Sequence, residues 1–89
     1  MFDTQIKHPP EVFYATPRLA SPREQLIRAS DQLWRVQDAT GRVRGHLRIV
    51  PDQLGLRYRS ERLHLATGTF RVIGEFWSPD DAVQSLRNG

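Results

Sequence analysis

The chain has no cysteine. That removes disulfides, thiolate metal ligands, iron–sulfur clusters and cysteine nucleophiles together. No apolar run approaches the roughly 18 residues of a membrane-spanning helix, and the N-terminus, MFDTQIKHPPEVFYATPRLA, lacks the basic-then-apolar pattern of a secretion signal. A soluble, cytoplasmic protein without membrane contact is the expectation. Length is scarce as well. Eighty-nine residues leave room for one domain, since domains commonly run to about 100–150 residues, and a fold this small encloses no large catalytic cavity.

The side chains that carry catalysis are sparse and badly spaced. His8, His46 and His64 are far apart, and none stands four residues from another histidine in a metal-binding helix pattern. The serines lack a nucleophile elbow and the glycines form no phosphate loop. The adjacent carboxylates Asp80 and Asp81 follow a serine and a proline, which is how a helix begins. A non-enzymatic binding module is therefore expected, with no catalytic residue, metal, cofactor or small-molecule substrate.

Lysine is nearly missing too. Lys7 stands alone beside twelve arginines. A GC-rich genome substitutes arginine for lysine everywhere, so the ratio by itself does not require a function. The position of the excess is more informative, because residues 32–74 carry eight arginines against Asp38, Asp52 and Glu61, a net of +5 within a chain whose total is only +3. The planar guanidinium offers a fork of donors that fits phosphate, carboxylate and the guanine edge.

Residues 1–20 hold three of the six prolines and scattered apolar side chains. They read as an extended or flexible arm, possible anchors being Phe13 and Tyr14, ahead of a domain over 21–89. Ser21-Pro22-Arg23-Glu24 has the form of a capping box and predicts a short helix over Pro22 to Ala29. From Leu33 the period changes to two. Trp34 and Val36 alternate with Arg35 and Gln37, Asp38-Ala39-Thr40-Gly41 supplies a turn, and Val43, Gly45, Leu47 and Ile49 alternate with Arg44, His46 and Arg48. Pro51-Asp52-Gln53 reads as a strand break, GLRYRSER as a third strand and FRVIGEF as a fourth. Ser78-Pro79-Asp80-Asp81 then starts a helix to Arg87, with Trp77 placed to fold onto Ala82 and Asn88-Gly89 as a stop.

These signals predict an α+β domain: a small antiparallel sheet of three or four strands, a C-terminal helix on one face and a short N-terminal helix at the edge. The expected core is Trp34, Val36, Val43, Leu47, Ile49, Leu56, Tyr58, Phe70, Val72, Phe76, Ala82, Val83 and Leu86. The opposite face then collects Arg35, Gln37, Arg44, His46, Arg48, Arg57, Arg59 and Arg71. Strand alternation converts a central charge excess into one basic surface.

The stretch RVIGEFWSPDDAVQSL, with Gly74, Phe76, Ser78, Asp80, Asp81 and Ala82, resembles the last strand and helix entry of AP2-type domains and of the arm-binding domains of phage integrases. The resemblance in layout covers about residues 34–86, and in residues 71–86. It implies a three-stranded sheet backed by a helix that binds DNA through arginine and tryptophan on the sheet. By that pattern the contacts would be Arg35, Arg44, Arg48, Arg57 and Arg59; His46, which alternation places on the same face, is a further candidate contact. The competing class is a protein-interaction or homodimerisation module of a phage or mobile-element accessory kind, working through the tryptophans, Ile73 and an edge strand.

Overall fold

The computed structural model describes residues 13–87, which form an antiparallel meander. Five strands lie side by side in chain order: β1 (Gln25–Ser30), β2 (Leu33–Gln37), β3 (Val43–Asp52), β4 (Gly55–His64) and β5 (Thr69–Phe76). Helix α1 (Pro79–Gln84) follows. This corrects the α+β expectation: the fold is mostly β, with five strands in place of three or four, and among the described residues the predicted N-terminal helix is absent. The segment expected as that helix supplies β1. Its capping-box residues act differently, since Ser21 Oγ accepts from the Arg23 amide in a turn and the Glu24 carboxylate accepts from Arg87 Nε and Nη2 at 2.8 Å each. A helix this short is marginal alone, whereas an extended Leu26 packs beside Val36 in a ladder. Phe2, Ile6, His8, Val12 and the Asn88-Gly89 stop lie outside the described residues.

The hairpin joining β2 and β3 forms where alternation placed it. Asp38 Oδ1 accepts from the amides of Thr40 and Arg42 and from the Thr40 hydroxyl, and Gly41 supplies the left-handed residue at φ +85°. The expected break at Pro51 does not occur. β3 runs on to Asp52 with Pro51 opposite Leu56, and the chain reverses through Gln53 and Leu54.

One face of the sheet carries the core. Cross-strand partners build a row from Arg28 through Trp34, Leu47 and Ser60 to Gly74, flanked by Leu26–Val36–Gly45 and by Ile49–Tyr58–Phe76. Side chains shrink along that row, so the two ends are covered by different segments. Over the small end lie α1, against β3, β4 and β5, and the turn that follows it, burying Ala82, Val83 and Leu86. Over the large end runs the segment 13–20, where Thr16 Oγ1 accepts from Trp34 Nε1 at 3.0 Å and Leu19 joins the core. The helix starts as expected, with Ser78 Oγ accepting from the Asp81 amide, and Asp80 ties both coverings together by accepting from the Ala20 and Ser21 amides.

Two bulges break the alternation. Arg44 is the extra residue between β2 and β3, and Ile73 the extra residue between β4 and β5. The two bulges correct three expected core residues: beyond Ile73 the phase of β5 inverts, so Phe70 and Val72 face outward, and Val43, on the far side of the Arg44 bulge, is exposed at the start of β3. The same inversion moves Arg71 from the open face to the helix side. Trp77 does not staple onto Ala82 but lies exposed beneath the Arg57 guanidinium at 4.6 Å.

Candidate functional site

The open face of the sheet was the expected basic surface, and cross-strand pairing organises it into two rows. One row reads Ile27, Arg35, His46, Glu61, Val72; the next reads Leu33, Arg48, Arg59, Glu75. Most of its arginines have a carboxylate. Arg48 Nε donates to Glu61 Oε2 at 3.1 Å, Arg59 Nη2 reaches Glu75 Oε2 at 2.7 Å, and Arg57 lies 3.1 Å from Asp52 and 3.8 Å from Glu75. Arg35 is exposed and has no ion pair among the described residues. Of the six candidates, then, Arg35, His46, Arg48, Arg57 and Arg59 share this face. The sixth, Arg44, does not.

Arg44 sits in the β3 bulge and turns to the helix side, donating to the Arg87 carbonyl at 3.2 Å with Asp38 3.9 Å away. Arg62 of β4 donates to the Ser85 carbonyl at 3.3 Å. Arg62 thus meets the C-cap of α1, where carbonyl groups favour cations, and Arg44 the turn that follows it. Arg71 stands directly opposite Arg62 in the ladder, and Arg42 is exposed beside them. Two arginines facing each other across a ladder repel. The sheet holds a second such pair, Arg48 opposite Arg59, but each of those has its own glutamate. Arg62, Arg71 and Arg42 make no ion pair among the described residues. A groove of about 270 Å³ opens between these groups, walled by Arg42, Arg44 and Arg62 with Val43, Leu63 and Leu86. At this end of the sheet three arginines without an ion pair gather beside Arg44, whose own carboxylate partner, Asp38, is 3.9 Å away.

His46 is half-buried, its ring stacked on Phe70 at 3.9 Å and 15°. Burial holds it below its ordinary value near 6.5, partly offset by the Glu61 carboxylate 3.7 Å away, while Arg48 and Arg35 lower it further. The native state therefore binds its proton less readily than the unfolded chain, and stability must fall as pH drops through and below about 6.5. Glu24 and Asp38 are also held low, Glu24 chiefly by its hydrogen bond to Arg87 and Asp38 by the Thr40 hydroxyl. Their contribution is present above the ordinary carboxylate range and disappears as pH falls through their lowered native values. Urea denaturation of wild type is expected to show a loss of stability between about pH 7 and pH 5, the range that brackets an ordinary histidine. His46→Gln should remove that upper loss and keep the carboxylate loss below it; an unchanged upper slope would assign the effect elsewhere.

Sequence reasoning missed Arg42 and Arg62 and misplaced Arg44 and Arg71. Alternation alone gave no warning of either bulge, and summing charge by segment put Glu75 with the acidic tail instead of beside Arg57 and Arg59. Among the described residues no group of three or more histidines, aspartates or glutamates converges as a metal site, and no helix is long and apolar enough to cross a membrane. No family model matches the chain, and no curated protein or solved structure matches it either.

Proposed function

We propose that the domain binds nucleic acid through the arginine end of the sheet, with Arg42, Arg44, Arg62 and Arg71 as the phosphate contacts and Arg35 as an outlying one. The observation that carries this reading is the cross-strand pair Arg62–Arg71, which lacks the carboxylates that neutralise Arg48–Arg59. Like charges held face to face cost stability unless an anion offsets them. A phosphodiester chain supplies such anions repeatedly, and guanidinium forks bind them bidentately. The ion-paired open face is correspondingly a poorer binder, since Glu61 and Glu75 already occupy its donors.

Titration of a labelled DNA of about 16 nucleotides, offered both single- and double-stranded over a series of salt concentrations, tests the reading. Affinity is expected to fall steeply with salt. Arg62→Ala with Arg71→Ala should lower the magnitude of the log–log slope by about 2, roughly one per lost phosphate contact. Arg48→Ala with Arg59→Ala should change the slope far less. Absence of binding to both forms at about 50 mM salt, or binding insensitive to salt, would refute the proposal.

A second reading, homodimerisation, is favoured by the edge strand β5, where Val72 and Ile73 are exposed beside unpaired ladder groups. Light scattering separates the two. A dimer that Val72→Lys converts to a monomer, together with no nucleic-acid binding, would favour this second reading.

A further inference from the structure

We infer that the ligand of this site is single-stranded nucleic acid, its phosphates held at the arginine groove and one of its bases stacked on Phe70. The inference rests on the nucleic-acid reading above and adds the class of ligand. Phe70 is an unusual residue to leave outside. It is 42% exposed on the open face because the bulge at Ile73 inverts the strand, and its ring is held nearly parallel to His46 at 3.9 Å. One side of the ring is thus occupied and its orientation set before any ligand arrives. An aromatic ring so held offers a stacking platform that every base can use.

The platform and the charges are continuous. Leu63, which walls the groove, is the cross-strand partner of Phe70, and Arg71 is the next residue along β5. Phe70 and Arg71 point to opposite faces of an edge strand, so a flexible polymer wrapping that edge meets a ring on one side and guanidinium groups on the other. The groove also mixes arginine with exposed Val43 and Leu65 near its rim. That combination suits a chain in which charged phosphates alternate with flat apolar bases. A duplex fits less well for two reasons. Its bases face inward and present no free ring to Phe70, and five strands at about 4.8 Å spacing span roughly 19 Å between the outer two, wider than the roughly 12 Å major groove.

The experiment compares, by fluorescence anisotropy on the full chain, oligo-dT, oligo-rU and a mixed-sequence duplex of equal length, about 16 nucleotides. Either single strand is expected to bind at least about tenfold more tightly than the duplex, and the better of dT and rU identifies DNA or RNA as its source. Phe70→Ala should weaken single-strand binding by about tenfold and leave duplex binding nearly unchanged. Phe70→Trp should retain it. Phe70→Leu keeps an apolar side chain for folding but not a ring, and should bind like Phe70→Ala while its circular dichroism matches wild type. Duplex binding equal to or tighter than single-strand binding, or full single-strand binding by Phe70→Leu, would overturn the stacking inference and leave the arginine reading intact. Loss of salt-dependent binding to all three probes would instead overturn that underlying reading.

Discussion

Replacing Gly45 by alanine should cost the domain about 3 kcal/mol, more than half of its stability if the total is near the usual lower bound of about 5 kcal/mol. The reason is distance. A Cβ at this position would lie 2.2 Å from the Glu61 carbonyl oxygen and 3.2 Å from both δ-carbons of Leu86. Leu86 can give way slightly, but the Glu61 oxygen belongs to β4 backbone held in register, with His46 opposite Glu61 and Leu47 opposite Ser60. Relief requires pulling β3 from β4 or lifting the turn that follows α1 off the sheet, and both remove core contacts. Gly41→Asn is the matching control. Gly41 sits at φ +85° with nothing within 4 Å of its would-be Cβ, and asparagine tolerates that backbone, so its cost should stay under about 1 kcal/mol. Urea denaturation followed by circular dichroism separates them; equal small losses would mean that β3 and β4 have room to part.

Period-two alternation is a local signal, and it located β2, β3 and β4 because each keeps one phase against the core over most of its length. Trp34, Val36, Leu47 and Ile49 are buried as alternation required. β5 defeated it through a single extra residue. Phe70, Val72, Gly74 and Phe76 alternate cleanly in sequence, yet Ile73 inserts one residue opposite β4, so the first two point out and the last two point in. Nothing in the composition of RVIGEF marks that bulge. β1 was hidden differently, since Ser21-Pro22-Arg23-Glu24 satisfies the local grammar of a helix start while the tertiary structure draws Glu24 to Arg87, 63 residues away.

Charge was legible in amount and not in arrangement. Alternation misassigned Arg44 and Arg71, at the two bulges, but Arg35, Arg48, Arg57 and Arg59 do share the open face. Whether they are available depends on register: Arg59 stands opposite Glu75, and Glu61 lies within reach of Arg48 and His46. A shift of one residue would exchange these partners. The uncompensated pair Arg62–Arg71 exists because the Ile73 bulge puts Arg71 on the helix side. The bulge that removed Phe70 from the core thus also created the charge cluster on the other face, which is why the platform and the arginines meet at one edge.

Trp34→Ala is expected to have an effect of similar size by the opposite route, a void instead of a clash. Trp34 is fully buried, its ring roofed by the Arg28 guanidinium at 4.8 Å and its Nε1 donating to Thr16. Truncating a buried tryptophan to alanine costs about 3–5 kcal/mol. Trp34→Phe fills most of the space and loses one hydrogen bond, so about 1–2 kcal/mol is expected. The two variants also differ in what they do to residues 13–20. That segment is tied at its start by the Tyr14 amide on the Asp31 carbonyl and by Arg28 on the Tyr14 carbonyl, in its middle by Thr16 on Trp34, and at its end by the Ala20 amide on Asp80 of α1. Removal of the ring takes away the middle tie and the surface on which the segment lies, so hydrogen exchange at Tyr14 should approach that of an open chain in Trp34→Ala. Ala20, held independently by Asp80, should keep more of its protection. If the Tyr14 amide stays protected after the ring is gone, the segment is held by Arg28, which donates to the Tyr14 carbonyl and lies 4.0 Å from the Phe13 ring. The indole would then be filling space beneath the segment without anchoring it.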